Sequence, residues 1–348
     1  RRRVVDGGRG RAKGRLARAG AATLASRLGR TSGRAFSRAA PTLDASIDAE
    51  AGTVRVAATT TPVSDGLSFT FRRGDPEAWT LGRLVEAGTL SLEAAGLLSV
   101  AVERGVAGLV AGGRGAGKTT TLGALLWELP ASTRAILIED TPELPASALA
   151  EAGRDAQRLS VGDGAGPEAS EAVRTALRLG SGALVVGEVR GEEAAALYEA
   201  MRVGAAGETV LGTIHGENPT AVEERVVTGL GVPPSSFAAT DLLVVIDAHR
   251  VESITEVTGH GDEIGFDPLF ERGAEGLVPT GRVDRGESRL VASPARTTAS
   301  SAEPREDNPQ PVAGITTDVE RRTIETTRPT ADGGRERATA VTTDAKGA

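Results

Sequence analysis

Cysteine is absent from the 348 residues, and lysine nearly so, with three against 37 arginines. Without Cys there is no disulfide framework, no thiolate zinc site and no cysteine nucleophile. The three histidines, His215, His249 and His260, form no ligand cluster, so no metal site of the protein's own is expected. Six Phe, two Trp and one Tyr are the only aromatics, which leaves Ala, Val, Leu and Ile to build the core. No stretch approaches the ~18 apolar residues of a membrane span. The opening RRRVVDGGRGRAK has charge but no apolar run behind it, unlike a secretory or twin-arginine signal. No G-x-S-x-G elbow occurs. The expected compartment is therefore the cytoplasm. The chain starts with Arg rather than Met, and the expectation is a segment incomplete at its N-terminus.

What is present suits a soluble globular chain: 39% hydrophobic and 25% charged residues. The length sets a prior of about two domains. The net charge of −7 is unevenly spread. Residues 1–40 hold twelve Lys/Arg and one acid, Asp6, leaving −18 on the rest. A basic arm on an acidic body points either to an anionic partner or to a solvated leader. Its Gly-Gly-Arg-Gly-Arg run lacks interleaved aromatics, which argues against a nucleic-acid partner.

Pattern changes divide the chain. Residues 1–40 read as a basic Arg/Gly-rich leader with a short helix over Leu16–Leu28. Residues 41–75 contain the alternating runs Val54–Val56 and Leu67–Phe71, read as strands closing a small domain, with Gly74-Asp75-Pro76 as its boundary. From 76 to 250, helical stretches (Leu90–Arg104, Thr119–Glu128, Ala169–Leu179, Glu192–Arg202, Thr220–Leu230) alternate with five apolar runs. These runs are Val106–Ala111, Ala135–Ile138, Ala183–Val186, Val210–Ile214 and Leu242–Ile246. Near-continuous apolar strands separated by helices predict an α/β domain whose parallel sheet is buried on both faces. Residues 251–291 read as a β extension. Residues 292–348 contain no Leu, Phe, Trp, Tyr or Met and are expected to be a disordered tail.

One motif stands out. Gly112-Gly113-Arg114-Gly115-Ala116-Gly117-Lys118-Thr119 fits G-x-x-x-x-G-K-[ST], between an apolar strand and a helix that continues through Thr120. Glycines let backbone N–H groups curl around a β-phosphate, and the helix N-terminus adds partial positive charge. Lys118 would reach the β/γ oxygens, and the Thr119 hydroxyl would ligate Mg²⁺. Phosphoryl chemistry also needs carboxylates, and these belong at the carboxyl ends of neighbouring strands. Three apolar runs end suitably: one in Glu139-Asp140, one in Gly187-Glu188-Val189-Arg190, one in His215. Asp247 also ends a run, but it begins the exit from the sheet.

Together these residues resemble the secretion-superfamily ATPases of type II and type IV secretion, type IV pili and archaeal filaments. GGRGAGKTT (112–120) resembles the family's Walker A box, ILIEDTPELP (136–145) its acidic box, ALRLGSGALVVGEVRGEEA (176–194) its Walker B region and TVLGTIHGENPTAVEERV (209–226) its histidine box. The resemblance spans roughly residues 76–250, with 41–75 resembling the end of the family's N-terminal domain. It implies a RecA-like P-loop fold and a MgATP-hydrolysing hexamer that drives secretion or filament assembly. Such a ring works from the cytoplasmic side on a polytopic membrane platform protein. It makes Glu188 the water-orienting base and assigns Mg²⁺ to Thr119, Asp140 and Glu188. Glu139 would lie at the metal or sensor side, and His215 would sense the γ-phosphate. Arg190, Arg174, Arg178, Arg72 and Arg73 become candidates for charge neutralisation. The acidic, Lys-poor composition resembles a haloarchaeal member. Gly180-Ser181-Gly182 departs from the usual turn before Walker B, and the N-terminal domain is reduced. Two alternatives stay open: a RecA-like motor acting on DNA, and a nucleotide-binding assembly factor that does not hydrolyse.

Overall fold

The computed structural model describes residues 3–5, 9–11, 18–49, 52–73, 78–161, 167–180, 182–203, 209–260, 263–292, 315–318, 321–329 and 335–343. The chain divides into two compact units, Arg1–Glu77 and Ala78–Ala348. The expected boundary at Gly74–Pro76, and Ser181 of the turn before Walker B, lie outside the described residues.

In the first unit, β1 (Arg3–Val5) and β2 (Arg9–Arg11) pair antiparallel, followed by α1 (Arg18–Thr31). Then β3 (Thr42–Ala49), β4 (Gly52–Thr59) and β5 (Ser68–Arg73) form an antiparallel sheet in that order. Leu43 and Ala45 on β3, and Val56 and Ala58 on β4, alternate onto one buried face. Leu28 of α1 is buried with them, and Leu24, one turn earlier, packs against the cluster. The leader is thus not separate from residues 41–75. Two leucines at helical spacing are enough to dock α1, although arginines surround them. The predicted helix over Leu16–Leu28 lies two or three residues further on, its Leu16 and Ala17 falling outside the described residues.

The second unit opens with α2 (Leu81–Glu86) and α3 (Leu92–Glu103), whose first turns are capped by the Thr80 and Ser91 hydroxyls. Next come β6 (Ala107–Gly112), α4 (Lys118–Leu126), β7 (Ala135–Glu139), α5 (Ala146–Glu151) and β8 (Ala156–Ser160). They are followed by α6 (Ala169–Arg178), β9 (Ala183–Val189), α7 (Glu193–Val203) and β10 (Thr209–Ile214). After α8 (Pro219–Glu224) the expected helix over Thr220–Leu230 loosens into a π turn, Arg225–Gly229. Then come α9 (Pro234–Phe237), β11 (Leu242–Asp247), β12 (Arg250–His260), β13 (Glu263–Gly273), β14 (Gly276–Pro279) and α10 (Arg289–Ala292).

Nine strands form one sheet in the order β14-β13-β12-β11-β6-β10-β9-β7-β8. From β11 to β8 all pairings are parallel, and from β11 outward through β14 they are antiparallel. All five apolar runs are strands of the parallel part. The β extension is no separate piece, because β12 turns straight back from β11 and continues the same ladder. The strict two-residue period explains burial on both faces. Val110, Leu137, Val185 and Val244 join α2–α5 in one core layer; Leu109, Ile136, Ile138, Leu184, Val186, Leu243 and Val245 join α6 and α7 in the other. Each such side chain contributes about 1.5–3 kcal/mol by leaving water.

Of the tail expected to be disordered, residues 293–314, 319–320, 330–334 and 344–348 lie outside the described residues. Between them, β15 (Ile315–Asp318), β16 (Arg321–Pro329) and β17 (Arg335–Thr343) pair antiparallel. These stretches are rich in Thr, whose β-branching favours extended backbone even without large apolar side chains.

Candidate active site

The loop Gly112–Gly117 connects β6, the central strand of the nine-stranded sheet, to α4. Gly112 is dictated by space: a Cβ there would stand 2.2 Å from the Ile246 carbonyl oxygen of β11. Gly117, at φ +108°, takes a backbone shape that side chains disfavour. It starts α4 with no side-chain cap, so the first amides of the helix stay available to an external acceptor. Lys118 is buried, and its Nζ donates to the carbonyls of Gly112 (3.0 Å) and Gly113 (2.8 Å). Burial lowers its ammonium pKa, while the charge of Glu188 pulls it back up. That coupling puts Lys118 and Glu188 within electrostatic reach. Arg114 and Gly115 are exposed at the loop tip, Ala116 is buried beneath it, and Thr119 and Thr120 are half-buried on the first turn of α4.

Glu188 reaches this edge through a bulge. On β9, Val186 pairs with Gly212 of β10 and Val189 with Ile214, so Gly187 and Glu188 together face only Thr213. In an unbroken strand Val186 and Glu188 would share a face. Here Val186 and Val189 share it instead, both buried in one layer, and Glu188 is released from the core. The Thr213 hydroxyl secures the bulge by donating to the Gly187 carbonyl at 2.5 Å. Both Glu188 carboxylate oxygens have partners. His215 Nε2, just past β10, lies 3.0 Å from Oε1, and Arg190 Nη1 lies 3.3 Å from Oε2. Arg190 also contacts the Asp140 carboxylate. The backbone at Arg190 and Gly191 is itself held, its N–H groups donating to the buried Glu193 carboxylate at 2.6 and 2.9 Å. Glu188, Arg190, His215 and Asp140 thus form one connected group at the carboxyl ends of β9, β10 and β7, and Lys118 feels the Glu188 charge.

Glu139 has a different position. It is 4% exposed, and its Oε1 accepts the backbone N–H groups of Glu143 (2.9 Å) and Leu144 (2.8 Å). Its Oε2 accepts from Arg158 Nε of β8 at 3.0 Å, and Arg158 also donates to the Leu144 carbonyl. Burial raises the Glu139 carboxyl pKa, against the opposing pull of the two amides and the guanidinium. The side chain folds the 140–144 loop back over the sheet edge and so presents Asp140. Glu139→Ala leaves two amides without their acceptor and takes the carboxylate from Arg158, whose half-buried guanidinium keeps only its bond to the Leu144 carbonyl. A loss of about 1–3 kcal/mol is expected, read as a melting temperature lower by roughly 2–12 °C. An unchanged melting curve would show that the loop holds itself.

Arg174 and Arg178 are exposed on α6 and join none of these contacts; Arg178 donates to Thr175 of its own helix. Arg72 and Arg73 end β5 of the first unit. Asp247 is exposed and pairs in register with Arg250, where β11 leaves the sheet. Arg158, Thr213 and Glu193 were not singled out from sequence. Arg158 sits on a half-exposed edge strand without an apolar run, and Thr213 is hidden inside one. Among the described residues no group of three or more His, Asp or Glu is arranged to hold a metal ion. The Thr119 hydroxyl and the Glu188 and Asp140 carboxylates are oxygen donors of the kind Mg²⁺ takes together with phosphate oxygens and water, although both carboxylates are engaged here by Arg190 or His215.

A loop of this sequence, set at the carboxyl edge of a buried parallel sheet beside a bulge-borne glutamate, defines a RecA-like P-loop α/β protein. The family described as Type II/IV secretion system protein matches residues 21–266, and the chain belongs to that family. A Mycobacterium tuberculosis protein provisionally named for conjugal transfer is 36% identical over 125 residues, 35% of this chain and 36% of that one. An uncharacterized Methanocaldococcus jannaschii protein is 32% identical over 117 residues, 34% of this chain and 21% of that one. The chain thus spans about a third or less of the length of these relatives. Among solved structures, the VirB11 ATPase of the Brucella suis type IV secretion system is 23% identical, with 71% of this chain and 82% of that chain covered at a TM-score of 0.37. The pilus retraction motor PilT is 18% identical, with 72% and 69% covered and a TM-score of 0.47.

Proposed function

We propose that this chain binds MgATP at the 112–119 loop and hydrolyses it to ADP and phosphate. The released free energy would move a secretion or pilus-type machine. The observation that carries this reading is the bulge on β9, which sets Glu188 between His215 and Arg190 within reach of Lys118. Membership of the secretion family supports it.

Lys118 and the free amides of α4 hold the phosphates. To do so the Lys118 ammonium exchanges the Gly112 and Gly113 carbonyls for phosphate oxygens. Glu188 accepts a hydrogen bond from the attacking water and orients it, while Arg190 offsets negative charge at the terminal phosphate. Mg²⁺, held by Thr119 with Glu188 and Asp140 close by, would supply charge neutralisation on the phosphate oxygens. His215 holds Glu188 in place and so couples β10 to the chemistry. Family membership supports a homo-oligomer, a hexameric ring, acting from the cytoplasm on a polytopic membrane partner. No helix among the described residues is long and apolar enough to cross a membrane.

The test is phosphate release from MgATP by the full chain, alone and with lipid vesicles or DNA added. Turnover supports the reading; binding without turnover under every condition favours the assembly-factor alternative, and stimulation by DNA alone favours the DNA motor. His215→Ala separates its own role from that of the cradle. Its ATP dissociation constant should stay within a few-fold of the parent, while kcat falls on the order of 10²-fold, as when a reacting group is misplaced. Equal loss in both would put His215 in the cradle.

A further inference from the structure

On the other side of the loop from Glu188 lies a turn that the proposed hydrolysis does not use. Asp247 pairs with Arg250, so β11 and β12 are joined by only two residues, Ala248 and His249. Both have positive φ, 44° and 65°. Such a turn ordinarily carries Asn-Gly or Asp-Gly, because both central residues must enter a region that side chains disfavour. Ala248 and His249 are the only non-glycine residues with positive φ among those described.

The turn rests on the phosphate loop. The His249 N–H donates to the Ala116 carbonyl at 3.0 Å, and its Nδ1 stands 3.3 Å from where a Cβ on Gly117 would be. His249 is otherwise exposed. Glycine at 249 would keep the backbone hydrogen bond and remove the strain. A strained residue kept beside a site is a reason to ask what its side chain does.

Sheet order gives the direction. β11 flanks β6 on one side, while β10 and β9, bearing His215 and Glu188, flank it on the other. A nucleotide whose terminal phosphate faces Glu188 and whose β-phosphate sits in the loop runs its sugar and base away from Glu188, toward β11. We propose that the His249 imidazole contacts the nucleoside, by stacking on the base or hydrogen bonding to the ribose, and so selects nucleoside triphosphates over bare polyphosphate. This inference rests on the nucleotide-binding reading above.

The experiment compares two probes, ATP and inorganic triphosphate, by direct binding to the full chain and to His249→Gly. Glycine suits the left-handed position, so the turn and the melting temperature should be kept. ATP is expected to bind about tenfold more weakly to the variant, a typical loss for one aromatic or hydrogen-bond contact. Triphosphate should be unaffected within a factor of two. Equal weakening of both probes would make His249 a brace for the loop, and no weakening of either would leave the imidazole without a role; each result overturns the proposal. His249→Asn, which also tolerates positive φ, should recover part of the tenfold loss if hydrogen bonding dominates and bind ATP no better than the glycine variant if stacking does. A parent chain that bound neither probe would instead overturn the cradle reading itself.

Discussion

Lys118→Ala is expected to weaken MgATP binding by roughly 10²–10³-fold and to abolish measurable turnover. Hydrogen bonds from a charged donor contribute about 1.5–3 kcal/mol each. An ammonium bridging two phosphate oxygens therefore holds about 3–6 kcal/mol, of which roughly 3–4 is left once it has given up the two loop carbonyls, and that converts to this loss of affinity. The fold should tolerate the change. The amine makes two hydrogen bonds to loop carbonyls but is also desolvated, and burial lowers its pKa against the pull of Glu188. The bonds lost are thus opposed by desolvation relieved, and the melting temperature should move by only a few degrees. Equilibrium binding and thermal unfolding on the same preparation check both halves. Wild-type affinity in the variant would remove the cradle from the reading.

Glu188→Gln should do the opposite: bind ATP and stall. Gln keeps the shape but cannot take a proton or attract the His215 and Arg190 side chains as an anion. Turnover should fall about 10²–10⁴-fold, the range for a positioned acid–base group. Affinity for ATP should hold or rise, because a negative charge near the terminal phosphate is gone. Single-turnover kinetics distinguish a slow chemical step from slow release. A variant turning over within a few-fold of the parent would move the base to Asp140, the other carboxylate of the connected group.

The five apolar runs were legible because each is buried on both faces and so is nearly continuous in hydrophobic residues. β8 was not, because Ala156–Ser160 lies at the sheet edge, half-exposed, where no such run is needed. α2 and α5 have six residues each, too few for a helical period to stand out. The place of the loop between β6 and α4 and the positions of Glu188 and His215 at strand ends were readable, since spacing and strand context mark them. The part played by Glu139 was not readable from its position. Glu139 and Asp140 are adjacent and chemically alike, yet one is buried under an arginine from another strand and the other is exposed beside Arg190. Partners 4, 5 and 19 residues away decide this, and no local pattern announces them. The Ala248–His249 turn was equally silent, because it lacks the Gly or Asn that ordinarily marks such a turn.

The β9 bulge divides labour within four consecutive residues. Val186 and Val189 anchor the strand in the core, while Gly187 and Glu188 contribute almost nothing to that anchoring. Changing the chemistry at 188 therefore leaves the strand in place, and the number of residues decides where that chemistry points. Removing one residue between the two valines would restore one-to-one pairing with β10: the valines would still share a face, and the one residue left between them would point to the opposite face of the sheet. A chain that exchanged Glu188 for another side chain would keep this fold and present different chemistry at the same spot, whereas one a residue shorter here would keep the ladder and lose the spot. Over 186–189 the length of the segment sets the aim, and the identity of residue 188 sets what is aimed.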